Sequence, residues 1–519
     1  MARAAKGSET GMKLSTSAQM REIDRYVIED VGVPGAELMS NAAEHIALAA
    51  IERLTLGGSA AVFCGSGNNG GDGIGAAAFL LDKGVHVRAF IVSDTARLTP
   101  DARVMLERLS ALGGRLEVYA DTVDIVRYLN GCDVIIDAMF GTGLNSDIRG
   151  DALAAVGVIN DSNSFVISAD IASGVDADTG VILSDAVDAD MTVTFSMAKP
   201  GHFVEPGCTR RGELRIRDIG VPREIIEYAQ SETHAVTADD IMLPRRRPDS
   251  HKGDYGRCLI TAGSVGYTGA PALSARAATK MGAGLVFLGV PETIYSILAV
   301  KCDEEMPFPL PADSHGRIAA NAASELLHRA ADSDAVLLGP GLGRSAEITE
   351  LVTSVMRISK TPIVLDADGI NAISGNPDVL DAATCPIILT PHVGEFVRLT
   401  GSALPGNRLQ AARNFATKHG CTVVLKGHRT ITALPDGAAY INTTGGPAMA
   451  KGGSGDVLAG MITSLVGQRW ELRDAVITAV YLHGLAGDMC AERFGEYSVS
   501  ASDIIAMIPQ AVKSIQEFG

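Results

Sequence analysis

Along this chain, short runs rich in Val, Ile and Phe alternate with longer Ala-rich stretches of helical character. Strand-length runs that are apolar throughout suit a parallel sheet covered on both faces, and the helices between them supply the cover. The pattern predicts strands over Ala60–Cys64, Val85–Val92, Asp133–Asp137, Phe165–Asp170 and Met191–Phe195, followed by a β-like stretch over Gly212–Ile219. From about Pro222 to Pro248 the chain turns charged, Pro-containing and weakly periodic, which places a boundary near residue 236. The alternation then restarts. Strands are predicted over Arg257–Thr261, Leu285–Val290, Ala335–Leu338, Pro362–Leu365, Pro386–Leu389, Thr422–Leu425 and Thr430–Ala433, with helices including Ala270–Met281 and Ser454–Val466. No internal repeat is visible. The expected organisation is a disordered leader over 1–13, an α/β domain over 14–225, a linker over 226–235 and a second α/β domain over 236–519.

A chain of 519 residues is too long for one core, so two domains agree with its size. The formal net charge of −17 argues against a nucleic-acid partner. The one basic cluster, Arg245-Arg246-Arg247 between two prolines, reads as a solvated segment. No run approaches the roughly 18 apolar residues of a membrane helix, and the start lacks a signal peptide's apolar core. Eight scattered cysteines without a C-x-x-C pair read as free thiols in a reducing cytoplasm.

Two Gly-rich loops stand out, each after an apolar run and before a helix, where backbone N–H groups offer an anion site. The first is Gly65-Ser66-Gly67-Asn68-Asn69-Gly70-Gly71-Asp72-Gly73. It matches the G-x-G-x-x-G dinucleotide fingerprint, and Asp94 lies downstream, so an NAD-binding Rossmann site is one reading. Against it, the loop crowds polar side chains where a pyrophosphate needs bare backbone. Other strand ends also carry polar loops: Asp137-Ala-Met-Phe-Gly141-Thr142-Gly143-Leu144 and Asp170-Ile-Ala-Ser173-Gly174. In an open parallel sheet such ends meet at one crevice. Asn69, Asp137 and Ser173 form an oxygen-rich set suited to a hard cation. The alternative is that these aspartates cap turns.

These three motifs together resemble the NAD(P)H-hydrate epimerase domain, over about residues 14–225. The resemblance implies a Rossmann-like three-layer sandwich and a potassium ion held by Asn69, Asp137 and Ser173. It implies substrate contacts from Asn68, Asn69, Gly70, Gly71, Asp72, Gly141, Thr142, Gly143, Leu144, Asn145, Ser146, Asp147 and Asp170. Asp170 is the candidate for acid–base work.

The second loop is Gly452-Gly453-Ser454-Gly455-Asp456-Val457-Leu458-Ala459-Gly460. Small residues let N–H groups converge on an anion, and an aspartate there can accept a proton from a hydroxyl undergoing phosphorylation. The alternative is a plain helix start, where Asp is favoured by the helix dipole. Further strand-end loops are Gly339-Pro-Gly-Leu-Gly343, Asp366-Ala-Asp-Gly-Ile-Asn371, Thr390-Pro-His392-Val-Gly-Glu395 and Lys426-Gly-His-Arg-Thr430. His483 and Asp488 fall on an apolar helix and read as packed or capping residues.

This combination resembles the NAD(P)H-hydrate dehydratase branch of the ribokinase-like superfamily, over about residues 236–519. It implies that Ala270, Gly343 and His392 contact the hydrated nicotinamide nucleotide and that Asp456 activates its C6 hydroxyl. It implies nucleotide binding by Lys426, Gly427, His428, Arg429, Thr430, Gly453, Ser454 and Gly455, with Mg²⁺ and ADP; the residues alone do not separate ADP from ATP. Together the two resemblances imply repair of hydrated NADH and NADPH (NADHX and NADPHX), one domain interconverting the C6 epimers and the other dehydrating the S form. A homo-oligomer is expected. The rival readings are a vitamin-precursor kinase for the second domain and a non-catalytic nucleotide-binding module for the first.

Overall fold

The computed structural model of the protein describes residues 11–120, 122–404 and 406–518. The chain divides into two compact units, Lys13–Thr233 and the residues from His234 onward, with Gly11 and Met12 grouped with the latter. Residues 1–10 of the expected leader lie outside the described residues. Met12–Lys13 form a short strand, β1. The stretch expected as a linker over 226–235 contains the end of a helix, Arg223–Tyr228, and the start of strand β9, Thr233–Val236.

The first unit is built on β2 (Ser59–Cys64), β3 (His86–Ile91), β4 (Leu116–Val118), β5 (Val134–Ala138), β6 (Phe165–Ala169), β7 (Met191–Phe195) and β8 (Glu213–Arg217). All pairings are parallel, in the order β4-β3-β2-β5-β6-β7-β8. Successive side chains feed opposite faces, as the pleat requires. Val62, Cys64 and Ile136 join one core cluster, while Ala61, Phe63 and Ile135 join another. This is the three-layer, doubly wound arrangement, and its order reverses between β2 and β5, where a crevice opens beyond the strand ends.

The helix Asn68–Asp82 leaves β2 through the first Gly-rich loop. A Cβ on Gly70 would lie 1.9 Å from the Gly65 carbonyl oxygen, so only glycine permits this tight return. An earlier helix, Ser17–Tyr26, starts in a capping box in which Thr16 and Gln19 satisfy each other's backbone N–H. It buries Met20 and Ile23, and its first turn is tied down by Ser17 N and Oγ donating to Asp178 Oδ1 at 2.6 and 2.9 Å.

The second unit carries β10 (Arg257–Thr261), β11 (Leu285–Pro291), β12 (Met306–Leu310), β13 (Ala335–Leu338), β14 (Ile363–Leu365), β15 (Ile387–Leu389), β16 (Thr422–Leu425), β17 (Ile431–Ala433) and β18 (Ala439–Asn442). These run β18-β17-β16-β15-β14-β13-β10-β11-β12. The strands are parallel from β12 to β16, and β17 and β18 are antiparallel. The order reverses between β10 and β13, a second switch point. Strands β12 and β18 were not expected from the pattern. In β12, Met-Pro-Phe-Pro-Leu, the prolines are tolerated because the strand pairs on one side alone. The helix Gly269–Lys280 packs on Ser454–Gly467 so closely that a Cβ on Gly460 would lie 2.2 Å from the Ser274 carbonyl oxygen.

Candidate active sites

At the first switch point the loops after β2, β5 and β6 line a cavity of about 670 Å³. Asp137, fully buried at the end of β5, is saturated with donors: Ser168 Oγ and Ser173 N at 2.8 Å each, Ser173 Oγ at 2.5 Å and Met139 N at 3.3 Å. Burial raises its pKa above the usual carboxylate range, and those donors oppose the rise. Phe140 N in turn donates to Ser173 Oγ at 2.9 Å. Asn69 lies alongside Gly141, with its amide oxygen and nitrogen both buried and unbonded. A buried amide with no partner costs free energy unless something absent from the chain satisfies it.

Asp170 sits just past β6 with φ of 62°, a left-handed conformation rare for a non-glycine residue. Its Oδ1 accepts from Lys199 Nζ, a buried lysine, and from Thr194 Oγ1 at 2.9 Å. Burial opposes its ionisation, but the Lys199 charge prevails and holds the carboxyl below its ordinary range. His202 completes the arrangement. Lys199 N donates to His202 Nδ1 at 3.0 Å, which leaves Nε2–H to donate to the Asp170 carbonyl at 2.8 Å. Burial and the nearby Lys199 hold His202 neutral, with its pKa lowered to about 3.

Asn68, Asn69, Asp72, Gly141, Thr142, Gly143, Leu144, Asn145, Ser146 and Asp170 all line this cavity. Gly70 and Gly71 do not; they serve close packing, Gly71 against Met39. Asp147 is exposed, 4.0 Å from Arg149, and is not among the lining residues. Lys199, His202 and Asp24 were not singled out from the sequence. Lys199 and His202 carried the signal that marked the other loops, because Ser196-Met-Ala-Lys-Pro-Gly-His202 also follows a strand end.

In the second unit the loops after β14, β15 and β16 converge on the N-terminus of helix Ser454–Gly467. Asp366, buried at the end of β14, accepts from Lys426 Nζ at 2.8 Å and from Thr390 Oγ1 at 2.6 Å. The next residue, Ala367, has φ of 49°. Gly453, with φ of 94°, turns the chain into the helix, and a Cβ on Gly455 would lie 3.0 Å from Lys426 Nζ. Lys426 thus sits where the Gly-rich loop exposes its N–H groups. Burial alone would lower Lys426, but Asp366, Glu395 and Asp456 outweigh it and raise its pKa. Asp456, in the first turn, is raised to about 7 by burial first and then by the Asp366 charge, with Lys426 opposing.

Gly343 N donates to Asp368 Oδ2 at 2.9 Å. Its loop packs on Ala270, whose Cβ is 3.4 Å from where a Gly341 Cβ would lie. His392 caps helix Val393–Thr400 by accepting at Nδ1 from Gly394 N at 2.9 Å, which leaves Nε2 for a ligand or for Glu395 at 3.6 Å. Thr430 Oγ1 closes the 427–430 turn on the Gly427 carbonyl at 3.0 Å, His428 is exposed, and Arg429 is turned onto the Thr443 carbonyl. Ser454 Oγ lies 3.3 Å from His483 Nε2, and burial lowers His483 to about 4. Asp488 accepts from Gly445 N at 2.8 Å. These last two are the packed and capping residues expected.

One unit thus carries a crevice of nucleotide size with an ionised aspartate, the other a Gly-rich helix start beside a Lys–Asp pair and a carboxyl raised towards neutrality; together they define a two-site α/β protein of the nucleotide-handling class. Residues 258–510 match the NAD(P)H-hydrate dehydratase family, and residues 35–201 match the family described as YjeF-related protein N-terminus. The bifunctional NAD(P)H-hydrate repair enzyme of Moorella thermoacetica is 38% identical, with 98% of each chain covered. That of Thermofilum pendens is 39% identical, covering 98% of this chain and 97% of its own. The chain belongs to the family of bifunctional NAD(P)H-hydrate repair enzymes. Among solved structures, the Bacillus subtilis ADP/ATP-dependent NAD(P)H-hydrate dehydratase co-crystallised with ATP and Mg²⁺ is 31% identical, covering 54% of this chain and 97% of that one, with a TM-score of 0.45.

Proposed function

We propose that the chain repairs hydrated NADH and NADPH, the first unit interconverting the R and S epimers at C6 and the second dehydrating the S form at the expense of a nucleotide. The observation that carries this reading is Asp456. A carboxyl with a pKa near 7 at the mouth of an anion-binding helix start is a general base poised for a hydroxyl. Asp456 takes the proton of the C6 hydroxyl, and the freed oxygen attacks the terminal phosphorus of ADP or ATP, expelling AMP or ADP. The C6–O bond then breaks with phosphate as leaving group, pushed by the ring-nitrogen lone pair. Loss of a C5 proton restores the double bond of NAD(P)H. Hydroxide leaves poorly and phosphate leaves well, so phosphoryl transfer drives the dehydration. Lys426 and the N–H groups of the 453–455 loop hold the phosphates.

In the first unit Asp170, kept ionised by Lys199, accepts the hydroxyl proton during epimerisation. The buried, unbonded oxygen of Asn69 fits a hard monovalent cation such as potassium, for which Asp137 and Ser173 would exchange part of their mutual hydrogen bonding. That cation would supply a fixed positive charge beside the 141–146 loop. Asp368 and Glu395 would offer oxygens to magnesium carried in with the nucleotide, which would supply neutralisation of phosphate charge. A vitamin-precursor kinase would release a phosphorylated product and leaves the first unit without a role. All eight cysteines are free, which supports a reducing cytoplasmic setting. Among the described residues no helix is long and apolar enough to cross a membrane.

The test is recovery of absorbance at 340 nm from mixed NADHX epimers with Mg²⁺, K⁺ and ADP. Complete recovery is expected. A plateau at the S fraction present at the start would remove the epimerase assignment, and no recovery with ADP or ATP would remove the dehydratase assignment.

A further inference from the structure

Asp24, Asp72, Asp170 and Lys199 are among the residues that line the first cavity. Arg21, one turn before Asp24 on the same helix, and Asp101, from helix Pro100–Ala111, line it too. The lysine is committed to Asp170. The Asp24 and Asp72 carboxyl groups accept no hydrogen bond among the described residues. With Lys199 committed to Asp170, the partly buried Asp24 and Asp72 carboxyls hold protons, meet a ligand or draw on Arg21, the other cation of the lining. Burial raises Asp24 to about 6, Lys199 opposing and Asp170 adding to the rise; burial, then Asp170 and Asp24, raise Asp72 well above its ordinary value. Asp170 is driven the other way. Carboxyl groups pushed apart in one cavity divide the work of acid and base.

Resting on the epimerase reading above, we propose that Asp24 is the acid of the first site, exchanging a proton with the ring nitrogen while Asp170 exchanges one with the C6 hydroxyl. Asp170 takes the hydroxyl proton, the C6–N bond breaks, a C6 carbonyl forms, and the nitrogen receives the Asp24 proton. Rotation about C5–C6 presents the other carbonyl face. The nitrogen then returns its proton to Asp24 and attacks C6, and the oxygen recovers its proton from Asp170. No atom is gained or lost, and no oxidant or phosphoryl donor is needed. Losing the hydroxyl instead would give an iminium ion that collapses to NADH, which would make the second site redundant. Asp24 is suited to give and regain a proton because its helix is fixed at the first turn by the Thr16 cap and the Asp178 bonds.

The experiment compares full-length wild type, Asp24→Asn and Asp24→Glu, following conversion of R-NADHX to S-NADHX by chromatography without ADP, with thermal melting as the fold control. For Asp24→Asn, kcat should fall at least about 100-fold with KM within about threefold, and Asp24→Glu should recover part of the rate. The fall in wild-type rate above about pH 6 should vanish from the residual Asp24→Asn activity. Conversion within threefold of wild type, a loss confined to KM, or a loss matched by a lower melting temperature with no recovery in Asp24→Glu would overturn the acid role alone. A wild-type chain that does not interconvert the epimers would overturn the epimerase reading with it.

Discussion

Replacing Asp456 by Asn removes a base while keeping its size and shape. In the folded chain the carboxyl titrates near 7, because burial and the Asp366 charge raise it more than Lys426 lowers it. A base with that midpoint is about one-tenth ionised at pH 6, half at pH 7 and nine-tenths at pH 8. The ionised form is the active one, so dehydration should climb about tenfold from pH 6 to pH 8 and level off above. Asp456→Asn should abolish this dependence and lower kcat by about 10²–10⁴, a barrier increase of roughly 3–5 kcal/mol. The Lys426–Asp366 pair at 2.8 Å does not involve Asp456 through a hydrogen bond, so nucleotide affinity should persist. The assay is the initial rate at 340 nm with S-NADHX and saturating ADP, across that pH range. A flat wild-type profile, or an Asp456→Asn variant that keeps more than about one-third of the wild-type rate, would refute Asp456 as the base.

Asp137→Ala strands Ser168 Oγ, Ser173 N and Oγ, and Met139 N in a fully buried site. The cost should be about 3 kcal/mol of stability in the first unit, read from denaturant unfolding. Gly460→Ala would press a methyl 2.2 Å from the Ser274 carbonyl oxygen. Dehydratase stability should drop by about 1–3 kcal/mol with epimerisation intact, as separate melting and activity assays would show. Exchanging K⁺ for tetramethylammonium should slow epimerisation and leave the dehydration step unchanged; equal rates of epimerisation would remove the cation from the Asn69 site.

Much of this architecture was legible because the strands are apolar on both faces and their ends carry conspicuous loops. Asp137, Asp170, Asp366 and Lys426 all stand within a few residues of such ends, and Asp456 stands in the Gly-rich loop that opens a helix. The edge strand Met306–Leu310 was hidden by its prolines, whose cost depends on a sheet position that no local pattern reveals. Asp24 was hidden differently. Between Arg21, Glu22 and Arg25 on an amphipathic helix it reads as part of a solvated face, and only the tertiary fold carries that helix over the crevice. Gly70 and Gly71 show the reverse: a motif that suggests ligand contact serves a close backbone return at Gly70 and side-chain packing at Gly71.

The most direct test of two independent sites in one chain is to supply pure R-NADHX first without, then with, ADP, following epimer composition and NADH together. The account predicts a mixture of epimers and no NADH in the first stage, then full conversion to NADH in the second. NADH formed without a phosphoryl donor, or R-NADHX left untouched until ADP is added and consumed directly thereafter, would contradict it.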